Sequence, residues 1–160
     1  MILGILSDSH GRAERTVRAL TLLDEKGAAA FVHCGDIGGE DVLIALSGRT
    51  VWFVWGNCDY PDASMNRYVR SLGLPLPDAT PLRIDLDGSR IAVFHGHERE
   101  IDRFDSTQVD YVLHGHTHVP RDERIGQTRF INPGALHRAA EHTVATLDLS
   151  SDSLSFHALE

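Results

Sequence analysis

Five apolar runs in this sequence are each followed at once by side chains able to bind a metal: Asp8 and His10, Asp36, Asn57, His95, and His116 with His118. Carboxylate, amide oxygen and imidazole together differ from the all-oxygen shell of calcium and from a thiolate zinc cage. The mixture suits Mn, Fe, Co, Ni or Zn. Seven donors exceed what a single tetrahedral ion takes. Two divalent ions about 3.5 to 4 Å apart, sharing one carboxylate, would use them all, and Asp36, alone in its loop, is the natural bridge. Asp8 and His10 are two residues apart, as are His116 and His118; on extended backbone both members of each pair would point to one side. Singly, each residue has a blander reading: Asp8 and Asn57 are ordinary turn formers. Their joint placement after five runs favours a metal centre. His97 sits close enough to His95 to support it or to touch substrate. His33 and His114 fall inside apolar runs and read as packed, hydrogen-bonded residues, while His137, His142 and His157 read as surface or structural.

The elements that must position these donors follow from pattern. Ile2 to Leu6, Ala30 to Cys34, Val51 to Trp55, Ile91 to Phe94 and Tyr111 to Leu113 read as buried strands. Ala13, Val17, Leu20 and Leu23 predict a helix stopped by Gly27, Asp41 to Leu46 a shorter one, and Met65, Tyr68, Val69 and Leu72 a third. Leu74 to Pro81 is a loop. Arg83 to Asp87 and Arg90 to Phe94 flank an Asp-Gly turn, and Arg129 to Asn132, Thr143 to Leu149 and Leu154 to His157 are further strands. Ile101 and Phe104 mark one more short helix. A βαβ start and a hairpin-rich finish predict an α/β or α+β fold of two packed sheets with helices outside. In open α/β sheets the strand carboxyl ends converge on one crevice, where distant donors can meet.

The chain has 160 residues, enough for one domain over 1–160, and 42% of them are hydrophobic. A formal charge of −8 disfavours non-specific nucleic-acid binding and attachment to membranes through a basic patch. No apolar run reaches membrane-spanning length, no positive segment precedes the first strand, and Cys34 and Cys58 are too few for a disulfide framework. A cytoplasmic protein is expected. Self-association into a homo-oligomer is left open.

In order along the chain, Asp8-Ser9-His10, Gly35-Asp36, Gly56-Asn57-Cys58-Asp59, His95-Gly96-His97 and Gly115-His116-Thr117-His118 resemble the signature of the calcineurin-like metallophosphoesterase superfamily. In look the chain is nearest to its small, capless bacterial and archaeal phosphodiesterases, which share the Asn132-Pro133-Gly134 segment; the same fold serves the retromer subunit. The resemblance implies a four-layer αββα sandwich of two mixed β-sheets flanked by helices. It implies one metal on Asp8, His10, Asp36 and His118, and another on Asp36, Asn57, His95 and His116, with Mn foremost among the candidates. The implied activity is hydrolysis of a small phosphodiester by in-line attack of a metal-bound hydroxide. A diester carries less charge than a monoester, so this acidic surface repels it less. Asp36, Asn57, Cys58, Asp59 and His97 are the expected catalytic residues. Asp36 fixes the metal spacing and Asp59 orients its loop. Cys58 stands where many superfamily members carry His, which puts proton donation to the leaving group in doubt. The alternatives are a phosphomonoesterase such as a protein phosphatase, and a non-catalytic, retromer-like scaffold.

Overall fold

In the computed structural model, which describes residues 1–160, the apolar runs become the inner strands of two five-stranded sheets. In the first sheet β1 (Ile2–Leu6), β2 (Ala30–His33) and β3 (Val51–Phe53) are parallel. β9 (Thr143–Asp148) pairs antiparallel with β1, and β10 (Ser153–Ala158) antiparallel with β9. The second sheet joins β4 (Leu82–Leu86) and β5 (Ser89–Val93) in a hairpin. Next come β6 (Tyr111–Leu113) and β8 (Thr128–Asn132), parallel to β5, with β7 (Arg121–Ile125) on the edge. Asp87 and Gly88 both have positive φ, at 50° and 79°, the conformation a two-residue hairpin turn of this twist demands.

Leu3, Ile5 and Val32 of the first sheet meet Ile84, Ile91, Val93, Leu113 and Ile131 of the second in a shared core. The other face of the first sheet, with Leu6, Phe31 and Phe53, is covered by α1 (Ala13–Glu25), α2 (Glu40–Leu46) and α3 (Ala63–Ser71). Strands covered on both faces read as unbroken apolar runs, which is why these were legible. The outer face of the second sheet packs Ala92, Phe94, Val109 and Val112 against Ile101, Phe104 and Phe130. Its cover is two 3₁₀ turns, Arg99–Arg103 and Ser106–Gln108; the first is the short helix expected near Ile101 and Phe104, of 3₁₀ rather than α type. The outermost layer is therefore thin.

Two further details depart from expectation. In α1 the buried face is Thr16, Ala19, Leu20 and Leu23, while Val17 is 51% exposed. Thr16 shares a stripe with Leu20 and Leu23 at four- and seven-residue offsets, and its hydroxyl lies 3.0 Å from Ser9 Oγ. Strand β7 was not anticipated: Arg121 to Ile125 is a mostly exposed run rich in charge, a composition that protects a sheet edge but carries no apolar period. No helix is long and apolar enough to cross a membrane.

Candidate metal centre

The carboxyl ends of β1, β2 and β3 meet those of β5 and β6 along one edge of the two sheets. The loops leaving those ends bring all seven anticipated donors together. Asp8, His10, Asp36 and His118 each offer an atom within 4.8 Å of the others. His10 Nε2 and His118 Nε2 are 3.5 Å apart, Asp8 Oδ1 is 3.0 Å from His118 Nε2, and Asp36 Oδ2 is 3.4 Å from His10 Nε2. Beside this group Asn57 Oδ1 lies 2.9 Å from His95 Nε2 and 3.0 Å from His116 Nδ1. Asp36 Oδ2 is also 3.3 Å from His95 Nε2, so one carboxylate oxygen stands between the two groups.

The local reason is not the extended backbone expected for the histidine pairs. Asp8, His10, Asp36, His116 and His118 all have φ between 44° and 70°. Non-glycine residues rarely adopt this left-handed region, and they do so where surrounding structure over-determines them. The loops coil tightly enough to turn successive donors inward. Two glycines make room. A Cβ on Gly56 would fall onto the Asp36 carboxylate, and one on Gly115 onto Ser7 and Asp8.

The donor set fits divalent cations. Asp8 is fully buried; its Oδ2 accepts from Ser7 Oγ at 2.5 Å and from the His116 N–H at 3.1 Å, but its Oδ1 has no hydrogen-bond partner. An orphaned carboxylate oxygen aimed at imidazole nitrogens is costly unless a cation sits among them. The rings are oriented for that part. His95 Nδ1 lies 2.8 Å from the Cys34 carbonyl and His118 Nδ1 3.1 Å from the Arg138 carbonyl. A carbonyl only accepts, so both Nδ1 atoms carry hydrogens, leaving Nε2 to face the centre.

The carboxylate and the rings also shift one another's titration. Burial pushes the Asp36 carboxyl up, but hydrogen bonds from His95 and the Cys58 N–H (2.8 Å), with the charges of His95 and His10, hold it below the usual carboxylate range. Burial pulls His95 down, yet the Asp36 and Cys34 hydrogen bonds and the Asp8 and Asp36 charges leave it raised. Burial lowers His10 and His116.

Of the other anticipated residues, Asp59 accepts from the N–H groups of Ile37 (3.0 Å), Gly38 (2.9 Å) and Gly56 (2.8 Å). It ties the loop after β3 to the loop after β2. Cys58 is exposed, with its thiol raised first by burial and then by the Asp36 charge. His97 is half-exposed, its ring 5.4 Å from that of His95. Three supports escaped sequence reasoning. Glu98 accepts from the N–H groups of His95 (2.8 Å) and Gly96 (2.6 Å); an acidic residue three positions after His95 was the signal. Ser7 holds Asp8, and Asn132 Nδ2 donates to the Gly115 carbonyl at 2.9 Å and to Thr117 Oγ1 at 3.0 Å.

His33 is buried, as expected, and its chemistry is now specific. Its Nδ1 accepts from the Gly35 N–H (3.2 Å), so its Nε2 carries the hydrogen facing Ser9 Oγ (2.7 Å). Burial pulls the ring down to about 3, whereas in the unfolded chain it titrates near 6.5. As pH falls from about 6.5 toward 3 the unfolded chain takes up a proton that the folded ring refuses, so stability is lost on acidification. Urea denaturation at several pH values is expected to show His33 contributing a loss of about 1.4 kcal/mol per pH unit between pH 6 and 4. His33→Gln should flatten the curve by that amount; an unchanged slope would refute the assignment. His114 is likewise buried, between the Gly115 carbonyl and Arg121.

Comparison with known proteins shows the family of the chain. Residues 1–152 match the model of the calcineurin-like phosphoesterase superfamily domain. Phosphodiesterase YfcE of Escherichia coli is 29% identical over 153 residues, covering 85% of this chain and 79% of that protein. Phosphodiesterase MJ0936 of Methanocaldococcus jannaschii is 22% identical over 138 residues, covering 84% and 83% respectively. The solved structure of an archaeal phosphodiesterase superimposes with a TM-score of 0.86 at 21% identity, over 99% of this chain and all of that one.

Proposed function

The chain belongs to the calcineurin-like phosphoesterase superfamily, and from that premise we propose that it is a metal-dependent phosphodiesterase acting on small phosphodiesters as a single cytoplasmic domain over 1–160. The observation that carries the reading is the place of Asp36 Oδ2, 3.4 Å from His10 Nε2 on one side and 3.3 Å from His95 Nε2 on the other. In this reading Asp8, His10, Asp36 and His118 hold one divalent ion, Asp36, Asn57, His95 and His116 the second, and Mn is the foremost candidate. Bound there, the two ions supply Lewis acidity toward the phosphoryl oxygens and acidify water at neutral pH.

The protein's own residues then do the positioning. Asp36 Oδ1 accepts the Cys58 N–H at 2.8 Å, which fixes the carboxylate, and its Oδ2 sets the separation of the two donor groups. Asp59 holds the loops carrying Asp36 and Asn57 in fixed relation, and Glu98 does the same for the turn at His95. Such fixed geometry matters because an ångström of misplacement can cost about 10²-fold in rate. His97, exposed beside His95 and His116, faces the entering substrate. The free cysteines, Cys34 buried and Cys58 exposed, are consistent with a reducing compartment.

The reading is tested by elemental analysis and a substrate panel. Two ions per chain and faster cleavage of bis(p-nitrophenyl) phosphate than of p-nitrophenyl phosphate are expected. A single ion, or a preference for the monoester, would overturn the two-ion or the diesterase part respectively. Binding without turnover of either would favour the scaffold.

A further inference from the structure

The loop after β3 does more than carry Asn57. With α3 and the loop after β2 it encloses a cavity of about 210 Å³, whose apolar walls include Trp55, Tyr60, Pro61 and Met65. The same lining contains Gly38 and Cys58, and through these two residues the cavity adjoins the metal centre. The Cys58 N–H bonds Asp36 Oδ1 at 2.8 Å, and Asn57 Nδ2 stands 3.6 Å from Cys58 Sγ. Gly38 abuts His10 so closely that a Cβ on it would fall onto the His10 backbone. Three of the seven donors therefore touch the cavity's lining.

We propose that this cavity is the specificity subsite of the centre, holding a planar aromatic ring, an aryl group or a nucleobase, carried on one ester arm of the phosphodiester. The proposal rests on the phosphodiesterase reading. It makes aryl and nucleoside diesters, rather than dialkyl diesters, the preferred substrate class.

Shape and chemistry of the walls carry the assignment. Sites for drug-sized ligands run from about 300 to 1,000 Å³, so a cavity of about 210 Å³ takes one ring system and not two. The lining holds no cation, and its one carboxylate is already spent, because Asp59 accepts from the N–H groups of Ile37, Gly38 and Gly56. A second phosphate would find no partner there, whereas a neutral ring loses nothing. The aromatic walls favour such a ring over an alkyl arm, through buried apolar area and ring-to-ring contact. Trp55 is fixed against the core, its ring T-shaped to Phe53 with centroids 4.9 Å apart. Tyr60 lines the cavity yet is 89% exposed, so the protein itself leaves most of that ring uncovered. A second recess, of about 360 Å³, shares Trp55 but adds Asp78 and Glu98, negative charges that repel an approaching phosphoester.

Phenylphosphonate and methylphosphonate share a phosphoryl head, differ only in the arm, and offer no ester bond to cleave. Calorimetry on the Mn-loaded protein is expected to show phenylphosphonate binding about 10-fold more tightly, the gain from burying one ring. Tyr60→Ala should cut that preference by about 3- to 10-fold, the worth of one aromatic pair, with metal content unchanged. Tyr60→Phe should keep it. Because Tyr60 is exposed, neither substitution disturbs the core. Equal affinity for the two phosphonates in the parent, or no detectable binding of phenylphosphonate, would overturn the proposal. So would a preference that Tyr60→Ala leaves intact, including the case where both affinities fall together. Binding is read without turnover, which separates the two claims. A parent with the ring preference that cleaves no diester would defeat the phosphodiesterase reading alone, and one that cleaves diesters without the preference would defeat the subsite alone.

Discussion

Asp36→Asn is expected to lower kcat/KM for a phosphodiester by about 10³-fold or more, while chelation of the parent protein abolishes turnover and Mn²⁺ restores it. The substitution is a clean one. Asn tolerates the left-handed backbone at this position about as well as Asp, where φ is 55°, and its Oδ1 can still accept the Cys58 N–H that Asp36 Oδ1 accepts at 2.8 Å. What changes is the other atom. An NH₂ replaces the Oδ2 that lies within 3.5 Å of both His10 Nε2 and His95 Nε2, so a donor faces the space where a cation needs an acceptor. Losing a single preorganised electrostatic contact in an active site costs about 10² to 10³ in rate, and Asp36 serves both donor groups at once. His116→Ala, which touches one group only, should cost less. Elemental analysis and steady-state kinetics on the two variants decide the matter. A mild Asp36→Asn beside a severe His116→Ala would remove the bridge from the account, and full activity in metal-free protein would remove the metals.

Cys58→His is expected to raise turnover of alkyl phosphomonoesters by up to about 10² to 10⁴-fold, the usual span of general acid catalysis, while changing aryl diester turnover little. A p-nitrophenolate leaves without a proton near neutral pH, whereas an alkoxide needs one. The Cys58 thiol cannot supply it readily, since burial and the Asp36 charge raise it. The position tolerates change because the backbone N–H, not the side chain, bonds Asp36, and because the side chain is exposed. The measurement is the dependence of log rate on leaving-group pKa, steep in the parent and shallower in the variant. Coincident slopes would mean that residue 58 takes no part in protonating the leaving group.

The donors were legible in the sequence because each follows a strand covered on both faces, and such strands announce themselves as apolar runs. Asp36 and Asn57 could be placed at one crevice without knowing the loops. The supports were not legible in the same way. Glu98, Ser7 and Asn132 act through backbone N–H and carbonyl groups of the donor loops, and a side chain that bonds a backbone needs no particular sequence partner. The pairs at 8 and 10 and at 116 and 118 were read as extended when their φ values are positive, because sequence spacing alone does not distinguish a strand end from a left-handed coil. β7 stayed hidden for a thermodynamic reason: an exposed edge strand is selected for charge, so its hydrophobic period is erased.

Every donor loop lies at one end of the strands, and the opposite end is closed by tight turns at Asp87 and Gly88, at Gly126, and at Asp152. The protein is thus divided along its strand axis into a working pole and an inert one. Exposed turn tips are where chains best accept added sequence. Tags, reporters or whole guest modules spliced at residues 87–88 or 126–127 would lengthen a hairpin about 15 Å or more from the chemistry, a distance set by five-residue strands rising roughly 3.3 Å per residue. The same split leaves the inert pole open to evolutionary drift in length while the working pole stays fixed.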